Sequence, residues 1–228
     1  MFTYEVDPSL LVPLVPRGTE LDTWNGTTFA SIVAFRFQRT RILGIPVPLH
    51  RDFEEANLRF YVRRELPAEL RRGVVFIREI VPRRAVAALA RWLYHEPYRA
   101  LPMRSSVETT PHPAVQYSWR LSRVWHSVAA RTGQPLALPG AGSFEQFIAE
   151  HYWGYTRQRD GSTIEYHVRH TPWAVAPAES HRIDADLGLV YGSAFAACLT
   201  QPVSVFLAAG SPVTVSRPVS LGREQEES

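Results

Sequence analysis

The amino-acid sequence predicts a β-rich α+β fold, built mainly on antiparallel sheet with a few helices, and three observations carry that reading. Residues 53–63 (F-E-E-A-N-L-R-F-Y-V-R) alternate with a period of two, setting Ala56, Leu58, Phe60 and Val62 against Glu55, Asn57, Arg59 and Tyr61. The runs 29–37 and 74–81 are apolar on both faces, as fully buried strands are. Asn25-Gly26 and Asp160-Gly161 are dipeptides of the kind that close hairpins.

Taken in order, residues 4–22 alternate apolar pairs with Pro8, Pro13 and Pro16. This predicts a helical turn over 8–14 and then extended chain, because proline is tolerated at a first helical position. Asn25-Gly26 turns the chain into the strand 29–37, and a loop with Gly44, Pro46 and Pro48 delivers His50, Arg51 and Asp52 to the strand 53–63. Residues 65–73 read as a polar connection to the strand 74–81. Pro82 starts the best helix, roughly 83–95, with Val86, Leu89, Ala90 and Leu93 on one stripe and Pro97 as its stop. Tyr98 and Arg99 fall where the chain leaves that helix and turns back, a common location for site residues.

Residues 115–128 read as one long strand or two bent ones, with Tyr117, Trp119, Leu121 and Trp125 at even spacing and Arg120 and His126 opposite. Residues 132–142 read as a loop, and Ser143 with Gln146 is a capping-box pattern opening a short helix. If Asp160-Gly161 forms a two-residue turn, Arg159 pairs with Ser162, Tyr155 with Tyr166, Trp153 with Val168, and His151 faces His170. Residues 188–216 suggest several short strands, and 223–228 a polar, acid-rich tail expected to be disordered. Neither a repeat nor a change of composition divides residues 1–222, which are expected to form one domain.

The composition excludes some chemistry. All 25 basic residues are arginine, so no lysine amine is present to form a Schiff base. Cys198, the single cysteine, excludes an internal disulfide, and its apolar setting (Ala-Ala-Cys-Leu) suits an inert thiol. The opening Met-Phe-Thr-Tyr-Glu-Val-Asp-Pro is not a basic-then-apolar leader, and a cytoplasmic location is expected. The uncharged stretch 187–216 is long enough to span a bilayer, but Gly188, Gly192, Gln201, Pro202, Gly210 and Pro212 interrupt it, so no membrane partner is expected.

Other motifs are equally restrictive. His151 and His170 would need two further ligands to hold a metal, and no HxH, HExxH or Cys pair supplies them, so no metal is expected. G-x-S-x-G and phosphate-cradling glycine motifs are missing, and no cofactor is expected. The arginines are interspersed with 22 acidic residues and never cluster beyond a dipeptide, which argues against a nucleic-acid partner.

The polar face of Glu55, Asn57, Arg59 and Tyr61 has two readings. It either faces water or lines the inside of a barrel, where its groups converge on a ligand. The doubly apolar strands on either side favour enclosure. There Glu55 pairs with Arg59 and stays ionised, or burial without pairing raises its pKa toward a general acid or base role.

Several stretches resemble a family, in order and over about residues 4–216. They are Tyr4-Glu-Val-Asp-Pro to Val15-Pro16, Phe53-Glu-Glu-Ala-Asn-Leu-Arg-Phe-Tyr-Val, Arg72-Gly-Val-Val-Phe-Ile, Ala90-Arg91 with Pro97-Tyr98, Ser143-Phe-Glu-Gln-Phe-Ile-Ala-Glu, and His170-Thr-Pro-Trp173. The family is that of the YqjF-like proteins of uncharacterised function, itself similar to the acetoacetate decarboxylase-like superfamily. The resemblance implies a cone-like barrel with the odd-numbered face of strand 53–63 pointing into its cavity. Of Glu54 and Glu55, Glu55 best matches the strand glutamate that the decarboxylases hold there. The decarboxylases carry Gly-Arg-Glu and then Gly-Tyr-Pro-Lys, whose lysine forms the Schiff base. The corresponding stretch here, Ala90-Arg91 through Pro97-Tyr98-Arg99, has no lysine, so decarboxylation through an imine is excluded.

The resulting expectation is an internal cavity for a small organic anion. Arg59, with Arg91 or Arg99, holds its carboxylate by charge-assisted hydrogen bonds. Glu55 carries or orients a proton, and Asn57, Tyr61 and Tyr98 complete the binding surface. Binding without chemistry is the first reading, and lysine-independent enolisation or hydrolysis with Glu55 as general acid or base is the second. Whether the chain forms a homo-oligomer is left open.

Overall fold

The computed structural model describes residues 1–42, 45–46, 52–85, 87–88, 95–109 and 112–222. Strands dominate them. The first part of the chain gives β1 (Phe2–Glu5), β2 (Glu20–Leu21), β3 (Phe29–Phe37), β4 (Arg41–Ile42), β5 (Ile45–Pro46), β6 (Phe53–Leu66) and β7 (Glu69–Val81). The middle gives β8 (Tyr98–Ala100), β9 (Met103–Glu108), β10 (Ala114–Leu121), β11 (Val124–Arg131), β12 (Trp153–Arg157) and β13 (Thr163–Arg169). The remainder gives β14 (Val175–Pro177), β15 (Ser180–Asp184), β16 (Ser204–Ala208), β17 (Thr214–Val215) and β18 (Val219–Leu221). Short helices α1 (Pro8–Leu11), α2 (Phe144–Ala149) and α3 (Leu187–Tyr191) interrupt them. Residues 84–85 and 87–88 are helical, where the helix 83–95 is expected to begin. Its apolar stripe (Val86, Leu89, Ala90 and Leu93), together with Arg91, His50, Arg51 and the tail 223–228, lies outside the described residues.

The large sheet runs β14-β16-β1-β3-β6-β7-β12-β13-β17, with β2 on β6, β8 on β7 and β18 on β13. Its pairs are antiparallel except β7 with β8 and with β12. Strand β6 is central because both neighbours are long: it pairs with β3 from Phe37↔Phe53 to Ala30↔Phe60, and with β7 from Ala56↔Ile80 to Leu66↔Glu69. A second sheet, β15-β11-β10-β9, covers one face of the first. The main core lies on this side, where Ala56, Leu58, Phe60 and Val62 of β6 join Tyr117, Trp119, Leu121 and Val128. Each fully buried large side chain there contributes about 1.5–3 kcal/mol of transfer free energy.

Among the described residues no pairing joins the two ends of the large sheet, so the cone-like barrel is not a hydrogen-bonded closure there. No helix among them is long and apolar enough to cross a membrane. Part of residues 187–216 folds as α3 and a 3-10 turn (Ser193–Phe195), where strands are expected from the sequence. Asp186 caps α3 by accepting from the Leu189 amide.

Three local expectations need correction. Residues 65–73 are not a connection: β6 and β7 continue as a hairpin as far as Leu66↔Glu69. Residues 114–131 are two strands, the second of the two readings, but they fold back on each other as a hairpin instead of continuing with a bend, turning at Ser122 and Arg123, both with positive φ. The turn brings His126 opposite Trp119 inside and sends Trp125 outside opposite Arg120. In the β12–β13 hairpin, Gln158 and Ser162 close a three-residue loop with Gly161 at φ +84°. The extra loop residue moves the register by one, so Trp153 faces His167 and Tyr155 faces Glu165, and His151 is not opposite His170.

Candidate functional site: a buried carboxylate cluster

Period-two alternation sends the odd-numbered side chains of β6 to the face away from the second sheet. Glu55 and Asn57 point there from the middle of the large sheet, and the Asn57 amide donates to Glu55 Oε1 at 2.9 Å. Directly across on β7, Asn57 faces Glu79. Glu79 reaches this face because of a β-bulge: Leu58 pairs with Arg78 but Arg59 pairs with Phe76, leaving Ile77 unpaired. Below the bulge Val74 and Phe76 share the odd face of β6, and above it Glu79 does.

Two further elements complete the cluster. Pro97 directs the chain from Glu96 into β8, which lies parallel to β7 with Tyr98 beside Glu79. The Tyr98 hydroxyl donates to Glu55 Oε2 at 3.2 Å and lies within hydrogen-bond reach of Glu79. Glu96 Oε1 accepts from Tyr166 at 2.8 Å and from Thr156, both on the β12–β13 hairpin. Tyr166 reaches it by lying across Gly154, its cross-strand partner.

Glu55, Glu79 and Glu96 are 2%, 2% and 3% exposed, so their carboxylates have almost no water to solvate charge. Burial is the main cause of their pKa shifts. It pushes Glu55 up to about 7, against the opposing effects of the Asn57 and Tyr98 hydrogen bonds and the Arg59 charge. It pushes Glu96 up to about 8 against the Thr156 and Tyr166 donors, and it raises Glu79 well above the carboxylate range, helped by repulsion from Glu96 and Glu55. Burial likewise holds the Tyr98 and Tyr166 phenols protonated. The cluster can therefore take up and release protons near neutrality.

Arg59 continues the same face of β6. Its Nη2 donates to the Ile148 carbonyl at 3.4 Å, near the end of α2, and its Nε is buried with no partner among the described residues. Tyr61 lies one step further, and the Arg59 guanidinium sits 5.8 Å from its ring. The Tyr61 hydroxyl is used on Ser31 at 2.6 Å, so this residue meets the site through its ring alone. Arg99 is exposed, on the other face of β8 from Tyr98. Arg91 lies outside the described residues. Glu54 points to the opposite face of β6, where it accepts from Ser105 at 2.9 Å.

The described residues contain no group of three or more His, Cys, Asp or Glu side chains arranged to hold a metal ion. A cleft of about 270 Å³ lies on the second sheet, lined by Ser106, Gln116, Ala129, Arg131, Ser180 and Arg182 among others, and none of the carboxylate cluster borders it.

Sequence reasoning missed Glu79, Glu96, Tyr166 and Thr156. The available signal for Glu79 was the Arg78-Glu79 charged pair inside an otherwise apolar run, Val-Val-Phe-Ile-Arg-Glu-Ile-Val. It also missed a second buried polar group beneath α2. Asp22 Oδ2 accepts from Arg72 Nε at 2.7 Å and lies 3.2 Å from His151 Nε2. The His151 ring packs on Tyr61 and Phe147, and burial lowers its pKa to about 4. His170 instead stacks between Tyr152 and Trp173.

Comparison with known proteins adds three findings. The family model DUF2071, described as an uncharacterized conserved protein, matches residues 1–212. The uncharacterized protein YqjF of Bacillus subtilis (strain 168) is 29% identical over 181 residues, covering 78% of this chain and 72% of YqjF. Among solved structures, the acetoacetate decarboxylase of Legionella pneumophila superposes with a TM-score of 0.63 at 15% identity, covering 97% of this chain and 83% of its own. The enduracididine biosynthesis enzyme MppR, solved with pyruvate, gives 0.57 at 13% identity, covering 93% and 86%. At these identities the likeness is one of fold: a mostly-sheet α+β arrangement similar to the acetoacetate decarboxylase-like enzymes.

Proposed function

The chain belongs to the DUF2071 family, and we propose that it binds a small organic carboxylate over the odd-numbered face of β6, in a cavity of the barrel type that the resemblance implies. The observation that carries this reading is the Arg59 guanidinium, whose Nε is buried on the same face as Glu55 without a partner among the described residues. A buried donor left unpaired costs about 1–3 kcal/mol, and a carboxylate ligand removes that cost with charge-assisted hydrogen bonds. MppR, of like fold, has been solved with pyruvate, which makes small keto acids the first class to screen. The test is a thermal-shift screen of small carboxylates and keto acids on the wild type and on Arg59→Ala. A stabilising carboxylate whose effect disappears in Arg59→Ala supports the anchor, and a hit that survives the substitution unchanged overturns it.

A second reading, lysine-independent proton transfer, is favoured by one specific observation. Glu55 has a pKa of about 7 while held by donors from Asn57 and Tyr98, the poise expected of a general acid or base. In this reading Glu55 takes a proton from the carbon next to a carbonyl, Tyr98 keeps the carboxyl oriented, and Arg59 fixes the substrate carboxylate. Exchange of the pyruvate methyl protons with deuterated water, followed by NMR, tests it. The wild type should accelerate exchange and Glu55→Gln should not; equal rates for the two proteins exclude Glu55 as the base.

A further inference from the structure

We propose that the ligand also carries a cationic end, an ammonium seated against Asn57, Glu79 and Glu96, so that the site takes a short zwitterion of the ω-amino acid class. This rests on the reading of Arg59 as the carboxylate anchor.

The argument is a count of donors and acceptors. The donors that the described residues turn toward the three carboxylates are the Asn57 amide and the hydroxyls of Tyr98, Tyr166 and Thr156. Once these are used, Glu79 Oε2, Glu96 Oε2 and Asn57 Oδ1 remain buried without a partner among the described residues. Asn57 is 2% exposed, and its amide oxygen has no proton to take up, so a donor must come from elsewhere. Burial favours protons on Glu79 and Glu96, and these fill part of this need. An ammonium group brings three N–H donors and a positive charge, matching three open acceptors in a cluster with a surplus of carboxylates.

The opposite pole is Arg59, whose Nε is a donor with no partner among the described residues. Arg59 and Asn57 are successive residues on one face of β6, on the order of 7 Å apart. That is the length of a short chain with a carboxylate at one end and an amine at the other. A ligand bound this way displaces protons from the carboxylates, whereas an anion bound alone does not.

The test uses the whole protein and four matched probes: 4-aminobutyrate, butyrate, butylamine and 4-hydroxybutyrate. Thermal shift should rank 4-aminobutyrate above the other three. Calorimetry in buffers of different ionisation enthalpy should show net proton release on binding 4-aminobutyrate. Glu79→Gln should remove the advantage of 4-aminobutyrate over butyrate, with Glu96→Gln as the second variant should the first not fold. Equal shifts from butyrate and 4-aminobutyrate, both lost in Arg59→Ala, overturn the cationic end and leave the carboxylate reading standing. Equal shifts from butylamine and 4-aminobutyrate, both indifferent to Arg59→Ala, uphold the cationic end and overturn the anchor. A response to none of the probes overturns both. An equal response to 4-hydroxybutyrate shows that a neutral donor suffices, which overturns the charge.

Discussion

Tyr166 lies across Gly154 so closely that a Cβ at position 154 would stand 2.1 Å from the phenol ring. Glycine is needed there for space, and that space is what lets the Tyr166 hydroxyl reach Glu96. Gly154→Ala should therefore displace the ring and cost about 1–3 kcal/mol from overpacking, with the lost hydrogen bond in addition. Tyr166→Phe, which keeps the ring and removes only the hydroxyl, should cost less. Urea unfolding of both variants checks the order.

The carboxylates and His151 give opposite pH dependences. Glu55 and Glu96 hold protons up to about 7 and about 8 that the unfolded chain releases near the ordinary value of 4.5, so their stabilisation is full below 4.5 and is lost as pH rises through 7 to 8. His151, with its pKa lowered to about 4 from 6.5, contributes stability that is present above 6.5 and lost as pH falls through 4. Melting temperature should fall on the alkaline side, and Glu96→Gln, an isostere of the protonated form, should flatten that limb. A Glu96→Gln profile parallel to that of the wild type would contradict the raised pKa.

Asp22 serves two partners at once. Asp22→Ala leaves Arg72 Nε and the buried His151 ring without their acceptor, and should destabilise by about 2–4 kcal/mol. Asp22→Asn keeps an acceptor oxygen and should recover part of the loss. Denaturant midpoints measured near neutral pH distinguish the two.

Ser122 and Arg123 turn the β10–β11 hairpin with φ of 50° and 69°, conformations that cost L-residues about 1–2 kcal/mol each. The double substitution Ser122→Asn with Arg123→Gly should stabilise the protein by roughly 1 kcal/mol and leave ligand responses unchanged. The shift in unfolding midpoint is the readout.

That turn also illustrates what the sequence reveals. Strand 29–37 and the two faces of residues 53–63 were legible because side-chain alternation is written in residue type. The turn at Ser122-Arg123 was hidden because neither residue is of the type that favours positive φ, so one long strand and two bent ones could not be told apart. The β12–β13 register moved by one because Asp160-Gly161 suggests a two-residue loop as readily as the three-residue loop that forms. Glu55, Asn57, Arg59 and Tyr98 could be named as site candidates from alternation and resemblance. Glu79 could not, since a strict period of two from Val74 sends it to the opposite face. Glu96, Thr156 and Tyr166 arrive from elements remote in sequence, and their convergence follows from strand order alone.

The bulge at Ile77 reaches beyond local geometry. If the unaltered β7 paired regularly from Phe76 onward, Arg78 would stand opposite Asn57 and Glu79 would turn to the other face; the extra residue taken up at Ile77 is what keeps Glu79 there. The choice between a bulged and a regular pairing of one sequence thus separates an acidic from a basic lining.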